Sequence, residues 1–238
     1  MRFYHFFALL LLSIFSGSLC AQEIIQTSFR TLSLSGTIQD LAVVTSDGAQ
    51  DITISGGRRS DVFSYRGPSV VSFIRKGTYD PEGALPAPVA SVAIQAGYRK
   101  PLLIFVPNGN QYAIFVIEDD HTLFSGGNVL MVNLTPHTLT MFVGEDGAQR
   151  FTLKPTGMEQ LKFTTEDKNV RIRGATTVGS KVKRSMDTRI FPRPKHRDIC
   201  FIFQDLKNAE GRVRTRTIRE NVLTAKRAYE QEALAFPN

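Results

Sequence analysis

Residues 41–73 read LAVVTSDGAQDITISGGRRSDVFSYRGPSVVSF. The apolar residues come in short runs of Val, Ile and Phe, cut by Asp47-Gly48, Gly56-Gly57 and Gly67-Pro68. Such dipeptides supply turn conformations, and β-branched or aromatic runs separated by turns roughly every 8–12 residues mark consecutive strands. The rhythm continues outward. Strands are predicted at residues 41–45, 51–55, 61–65, 70–75, 89–95, 102–106 and 112–117, and in a second series at 129–134, 138–143, 150–153, 160–164, 170–173, 199–204 and 212–218. Two stretches break it and are expected to be loops: residues 77–88, rich in Pro and Gly, and the basic residues 175–195.

The two series look like copies. Residues 41–73 match residues 129–163 (VLMVNLTPHTLTMFVGEDGAQRFTLKPTGMEQLKF) in strand order, turn placement and terminal phenylalanine. The predicted hairpin over 102–117 likewise matches the one over 199–218. Such a repeat suits two tandem domains or two halves of one larger sandwich. On the tandem reading, seven short strands per copy fit an immunoglobulin-like β-sandwich. The expected fold is therefore mainly β: two tandem immunoglobulin-like β-sandwich domains with a C-terminal α-helix. The first domain covers residues 22–124, the second, basic domain 125–219, and the helix and tail 220–238. For the helix, Thr217 and Glu220 form a capping-box pattern, and Ile218, Val222, Ala225, Tyr229, Ala233 and Phe236 recur at helical spacing.

Residues 1–21 read as a cleavable signal peptide: Arg2 supplies the positive start, residues 6–15 are FFALLLLSIF, and small residues follow up to Ala21. The apolar run is shorter than the ~20 residues a membrane-spanning helix needs, and no later segment is a second candidate. Cys20 offers lipoprotein processing as the alternative, with Leu19 where that machinery wants a small residue. The expected protein is exported, periplasmic or secreted. Cleavage leaves Cys200 alone, so burial rather than an internal disulfide must hold the fold.

Charge is uneven. Residues 22–149 hold 8 Lys/Arg against 12 Asp/Glu, a net −4, and residues 150–219 hold 18 against 7, a net +11. A field of that sign attracts polyanions, anionic headgroups or an acidic partner. The candidate anion-contact surface is Lys181, Lys183, Arg184, Arg189, Arg193 and Lys195 in the basic stretch, with Arg212, Arg214 and Arg216 on one face of the last strand. Nucleic acid is not the expected partner, since the chain is exported and only Phe191 interleaves these cations for base stacking.

Catalytic chemistry is hard to assemble from these residues. His196, Asp198 and Cys200 alternate and would share a strand face, but same-face neighbours stand roughly 7 Å apart, too far for a nucleophile bonded to its base. Cys200, within an apolar run, reads as core. Glu118, Asp119, Asp120 and His121 cluster at a strand end, without further oxygen ligands at a calcium-loop spacing, and read as a solvated strand end. Asn133-Leu134-Thr135 meets the glycosylation sequon, which matters only in a eukaryotic secretory pathway. No catalytic residue, metal ligand or cofactor site is therefore assigned.

The stretch VLMVNLTPHTLTMFVGEDGAQRFTLKP resembles the opening of small immunoglobulin-like β-sandwich repeats of exported, mostly uncharacterised bacterial proteins. In those a V-x-F-V-N-x-S/T-P strand and turn lead into a strand, a Gly turn and an L-x-P-G turn. Val129, Val132, Asn133, Thr135, Pro136, Leu153, Pro155 and Gly157 carry the likeness, whereas Met131 and the inserted Thr156 depart from it. The resemblance implies an envelope or secreted sandwich protein and transfers no catalytic residue. The hairpin over 102–117 is apolar on both faces, which calls for cover on both. Leu102, Ile104 and Val106, with Tyr112, Ile114 and Val116, form the candidate interdomain or partner surface, covered by the terminal helix or, failing it, by the second domain. The functional expectation is a non-catalytic binding or scaffolding protein of the bacterial cell envelope holding a partner protein or anionic polymer. The alternative is an enzyme, or an enzyme accessory, acting on envelope polysaccharide.

Overall fold

The computed structural model describes residues 23–95, 97–119, 126–164, 169–178, 181–204, 212–224 and 227; the signal segment lies outside them. The chain is mainly β, and the described residues form 16 strands in four 4-stranded sheets. The first eight strands are β1 (Ile24–Ser33), β2 (Ile38–Thr45), β3 (Gly48–Ile54), β4 (Phe63–Pro68), β5 (Val70–Arg75), β6 (Ala90–Ala93), β7 (Pro101–Asn108) and β8 (Gln111–Glu118). The second eight are β9 (Asn128–Asn133), β10 (Leu139–Val143), β11 (Gln149–Leu153), β12 (Met158–Lys162), β13 (Val170–Val178), β14 (Lys181–Ile190), β15 (His196–Gln204) and β16 (Val213–Asn221).

The two sets repeat one topology. Sheets β4-β1-β7-β8 and β3-β2-β5-β6 become β12-β9-β15-β16 and β11-β10-β13-β14 when every strand number rises by eight. The parallel pair recurs too: β1 runs beside β7, and β9 beside β15, amid otherwise antiparallel ladders. Residues 41–73 and 129–163 are therefore not equivalent. That match superimposes β2 on β9, one strand out of step, because β1 is absent from the predicted series. The match of the β7–β8 and β15–β16 hairpins is correct.

Three apolar layers separate the sheets. Phe29, Leu41, Phe73, Leu103 and Phe105 lie in the core between the two sheets of the first repeat. Met131, Leu139, Met141, Ile172 and Cys200 fill that of the second. Between the repeats, Leu32, Leu34, Leu102, Ile104 and Ile117 meet Val132, Leu134, Ile199, Phe201 and Ile218. The order of layers is outer sheet, inner sheet, inner sheet, outer sheet.

The inter-repeat core joins equivalent positions. Leu34 donates its N–H to Phe105 O at 3.0 Å, as Leu134 does to Ile202 O at 2.7 Å. Carried along the parallel and hairpin registers, this equates Leu32 with Val132, Leu102 with Ile199, Ile104 with Phe201, and Ile117 with Ile218. Each repeat thus offers the same patch to the other, the property of a two-fold interface.

The predicted surface on the β7–β8 hairpin needs a correction. Leu102, Ile104 and Val106 face the second repeat, but Tyr112, Ile114 and Val116 turn into the first repeat's own core. Opposed residues of an antiparallel hairpin share a face, and Leu102 opposes Ile117 while Ile104 opposes Phe115. The second repeat is the cover.

The predicted helix fares differently. Thr217 and Glu220 belong to strand β16, so they cap nothing. Helical residues begin only at 222, where Asn221 Oδ1 accepts the N–H groups of Leu223 and Thr224 at 3.0 and 3.3 Å. Beyond 224 only residue 227 is described, so Tyr229, Ala233 and Phe236 lie outside the described residues. Among the described residues no helix is long and apolar enough to cross a membrane.

Candidate functional site

The basic stretch at 175–195 is not a loop. It is the end of β13 and all of β14, a hairpin with a register shift that leaves Ser185 as the extra residue of a bulge on β14. Lys181, Lys183, Arg184 and Arg189 therefore stand on an edge strand. Arg193 and Lys195 are exposed in the turn before β15. Arg212 precedes β16, and Arg214 and Arg216 lie on it.

These nine residues do not form one surface. Arg189 is committed to Glu145 at 2.5 Å and to Asn169 Oδ1 at 3.2 Å. Arg216 donates from one guanidinium nitrogen to Leu34 O at 2.6 Å and Ser35 O at 2.9 Å, clasping the first repeat. Gly57 makes room for that guanidinium, since a Cβ there would stand 2.3 Å from Arg216 Nη2. Two of the nine do converge. Arg184, whose side chain is 73 % exposed, and Arg212 both line a groove of about 670 Å³ between β14 and β16, with Thr188, Val213 and Thr215.

Electrostatics in the groove favours anions. Asp187, the acid on its wall, receives two hydrogen bonds from Arg171, at 2.9 and 2.6 Å. Chiefly through the Arg171 bonds its carboxyl is held below the usual carboxylate range, and the Arg171 guanidinium is pushed up in turn. Arg184 Nη1 also stands 3.7 Å from Asp187, so the groove's acid is shared by Arg171 and Arg184, and with Arg212 the cations around it outnumber the one acid.

Elsewhere the candidate chemistry is absorbed by the fold. Asp198 is gripped by Arg219 through two bonds of 2.8 and 2.7 Å across the β15–β16 ladder. Cys200 is 1 % exposed in the second repeat's core, and burial pushes its thiol up to about 11. Glu118 accepts the N–H groups of Arg99 and Lys100, both at 2.8 Å. Asp119 is not a solvated strand end: buried to 4 % exposure, it pairs with Arg59. Asp120 and His121 lie outside the described residues. Asn133 is wholly buried: its amide donates to His137 O, Leu153 O and Lys154 O, and its Oδ1 accepts from Thr135. In the folded chain the sequon asparagine is a turn hub, out of reach of a transferase.

A charged cluster at the inter-repeat boundary escaped the sequence. Arg59 also reaches Glu220 at 3.2 Å, and Arg197, 1 % exposed, donates to Glu220 at 2.7 Å. Asp119 and Glu220 are equivalent in the two repeats, so the interface pairs its two matched acids with one arginine from each side. Among the described residues no group of three or more His, Cys, Asp or Glu side chains is placed to hold a metal ion. No protein-family model matches the sequence, and no curated protein is a significant match.

Proposed function

We propose that this chain is a non-catalytic, exported binding or scaffolding protein of the bacterial cell envelope, and that its two repeats are immunoglobulin-like sandwich domains. Its anionic partner is held in the β14–β16 groove. The observation that carries the reading is the groove itself: an open seam between two sheet edges, lined by the exposed Arg184 and Arg212 and by one acid, Asp187, that Arg171 and Arg184 share. Supporting it are the net charge of +11 over residues 150–219, the pairing of Asp198 with Arg219 and the burial of Cys200 in the second repeat's core. Export follows from the signal pattern of residues 1–21.

Two measurements test it. The Arg184→Glu, Arg212→Glu double variant should lose binding to polyglutamate at low salt by about ten-fold or more, the scale of one to two charged hydrogen bonds. Unchanged binding sinks the groove. Protein recovered from the exported fraction should begin at Gln22, and an intact Met1 there sinks the processing.

A further inference from the structure

The free sheet edges around the groove are unequally protected. β14 carries the bulge at Ser185 together with the cations Lys183 and Arg184, and bulges and basic side chains are the usual devices that keep an edge from pairing. In the first repeat, the edge of β8 is approached by its own chain, with Tyr112 N–H donating to Val89 O at 3.0 Å just before β6. β16, the counterpart of β8, has cations of its own but no bulge, and among the described residues no further strand pairs with it. Its ladder to β15 runs from Val213 to Asn221 with no register shift, so among the described residues its other edge presents a regular row of N–H and C=O groups. Val213, Thr215 and Thr217 supply the β-branched character of a strand that accepts a neighbour.

Charge decides which neighbour. Arg212 and Arg214 are exposed at this edge, and Arg184 lines the same groove from β14. A second copy of this edge would bring the same cations and be repelled, whereas an acidic strand brings the complement. We infer that the groove takes an extended acidic peptide segment of a partner protein, which adds as a fifth strand to the 4-stranded sheet at β16. Main-chain bonds to the edge supply affinity and the arginines supply selectivity, the logic of strand addition. This inference rests on the groove being the anionic site proposed above.

The test uses the full mature chain and a synthetic peptide of alternating glutamate and valine, with two versions N-methylated on odd or on even residues. A strand bonds its neighbour through alternate residues, so one methylated version should bind like the parent and the other about ten-fold or more weaker, the loss of roughly one to two net hydrogen bonds. Bound peptide should also slow amide hydrogen exchange at alternate residues of Val213–Ile218. Strand addition is wrong if both methylated versions bind like the parent, if protection falls on β14 instead, or if heparin binds more tightly than the peptide. Loss of peptide or heparin binding in the Arg184→Glu, Arg212→Glu variant would still uphold the anionic groove in those cases. If the double variant binds everything as before, the groove reading fails as well.

Discussion

Phe115 in the first repeat and Arg216 in the second occupy equivalent positions on β8 and β16, and they do opposite things. The Arg216 guanidinium reaches across the boundary to two carbonyls of the first repeat, while the Phe115 ring lines a cavity of about 200 Å³ beside Leu134 and Thr156. The adjoining strand edges differ in the same way: that of β8 is met by its own chain, and that of β16 opens on the groove. Five matched pairs of apolar residues between the repeats have kept one geometry. The divergence sits at the rim of that shared face, where Arg216 meets Leu34 and Phe115 meets the equivalent Leu134 with different chemistry.

The comparison breaks most readily at the shared face. Phe201→Ala removes a fully buried ring at the inter-repeat core and should cost about 3–5 kcal/mol, read by denaturant unfolding. Its equivalent, Ile104→Ala, should cost about 2–5 kcal/mol, and both variants should unfold in one transition. Two separated transitions would show that the repeats do not depend on each other. Asp119→Ala leaves Arg59 and Arg197 short of a partner at the same boundary and should destabilise by about 3–5 kcal/mol. An effect below about 1 kcal/mol would mean that Glu220 alone neutralises both.

Alkaline pH probes the second repeat's core by itself. Burial raises the Cys200 thiol from 9.0 to about 11, so between these values the unfolded chain releases a proton that the folded chain keeps. Stability should therefore fall as pH rises from 9 toward 11, by up to ~2–3 kcal/mol, and Cys200→Ala should remove that part of the loss. Tyr65, pushed up to about 12 by burial in the first repeat, adds a loss of the same sign above pH 10 in both proteins. A thiol reagent should label Cys200 only after denaturation, and rapid labelling of folded protein contradicts the core assignment. Smallest of the set, Arg216→Ala should cost about 1–3 kcal/mol for two lost charge-assisted bonds, whereas Phe115→Arg in the other seam should leave stability within about 1 kcal/mol.

Strands with a clean apolar rhythm were legible in the sequence, and the ones missed have particular reasons. β1, IIQTSFRTLS, changes partner from β4 to β7 between Phe29 and Arg30, so its buried residues do not alternate along one face. β14, KVKRSMDTRI, has only Val182, Met186 and Ile190 as apolar residues, and the bulge at Ser185 puts the exposed Val182 out of phase with the buried Met186 and Ile190. Read without the bulge, it resembles a solvated basic loop. The arginines of the groove were visible as a charged stretch, but which of them converge depends on the β13–β14 hairpin, and hence on the strand that escaped notice. The Arg59–Asp119–Arg197–Glu220 cluster was invisible because its members meet only when the two repeats face each other.

That meeting has a consequence for valency. Two identical subunits joined through the same patch would carry two identical seams, and a ligand with repeated acidic segments would cross-link them into networks. Here the two-fold is built into one chain, its association cannot be diluted apart, and among the described residues one of the two seams stands open. On the proposed binding mode the chain would be a one-armed receptor, capping or tethering a polyvalent partner without gathering it into larger assemblies.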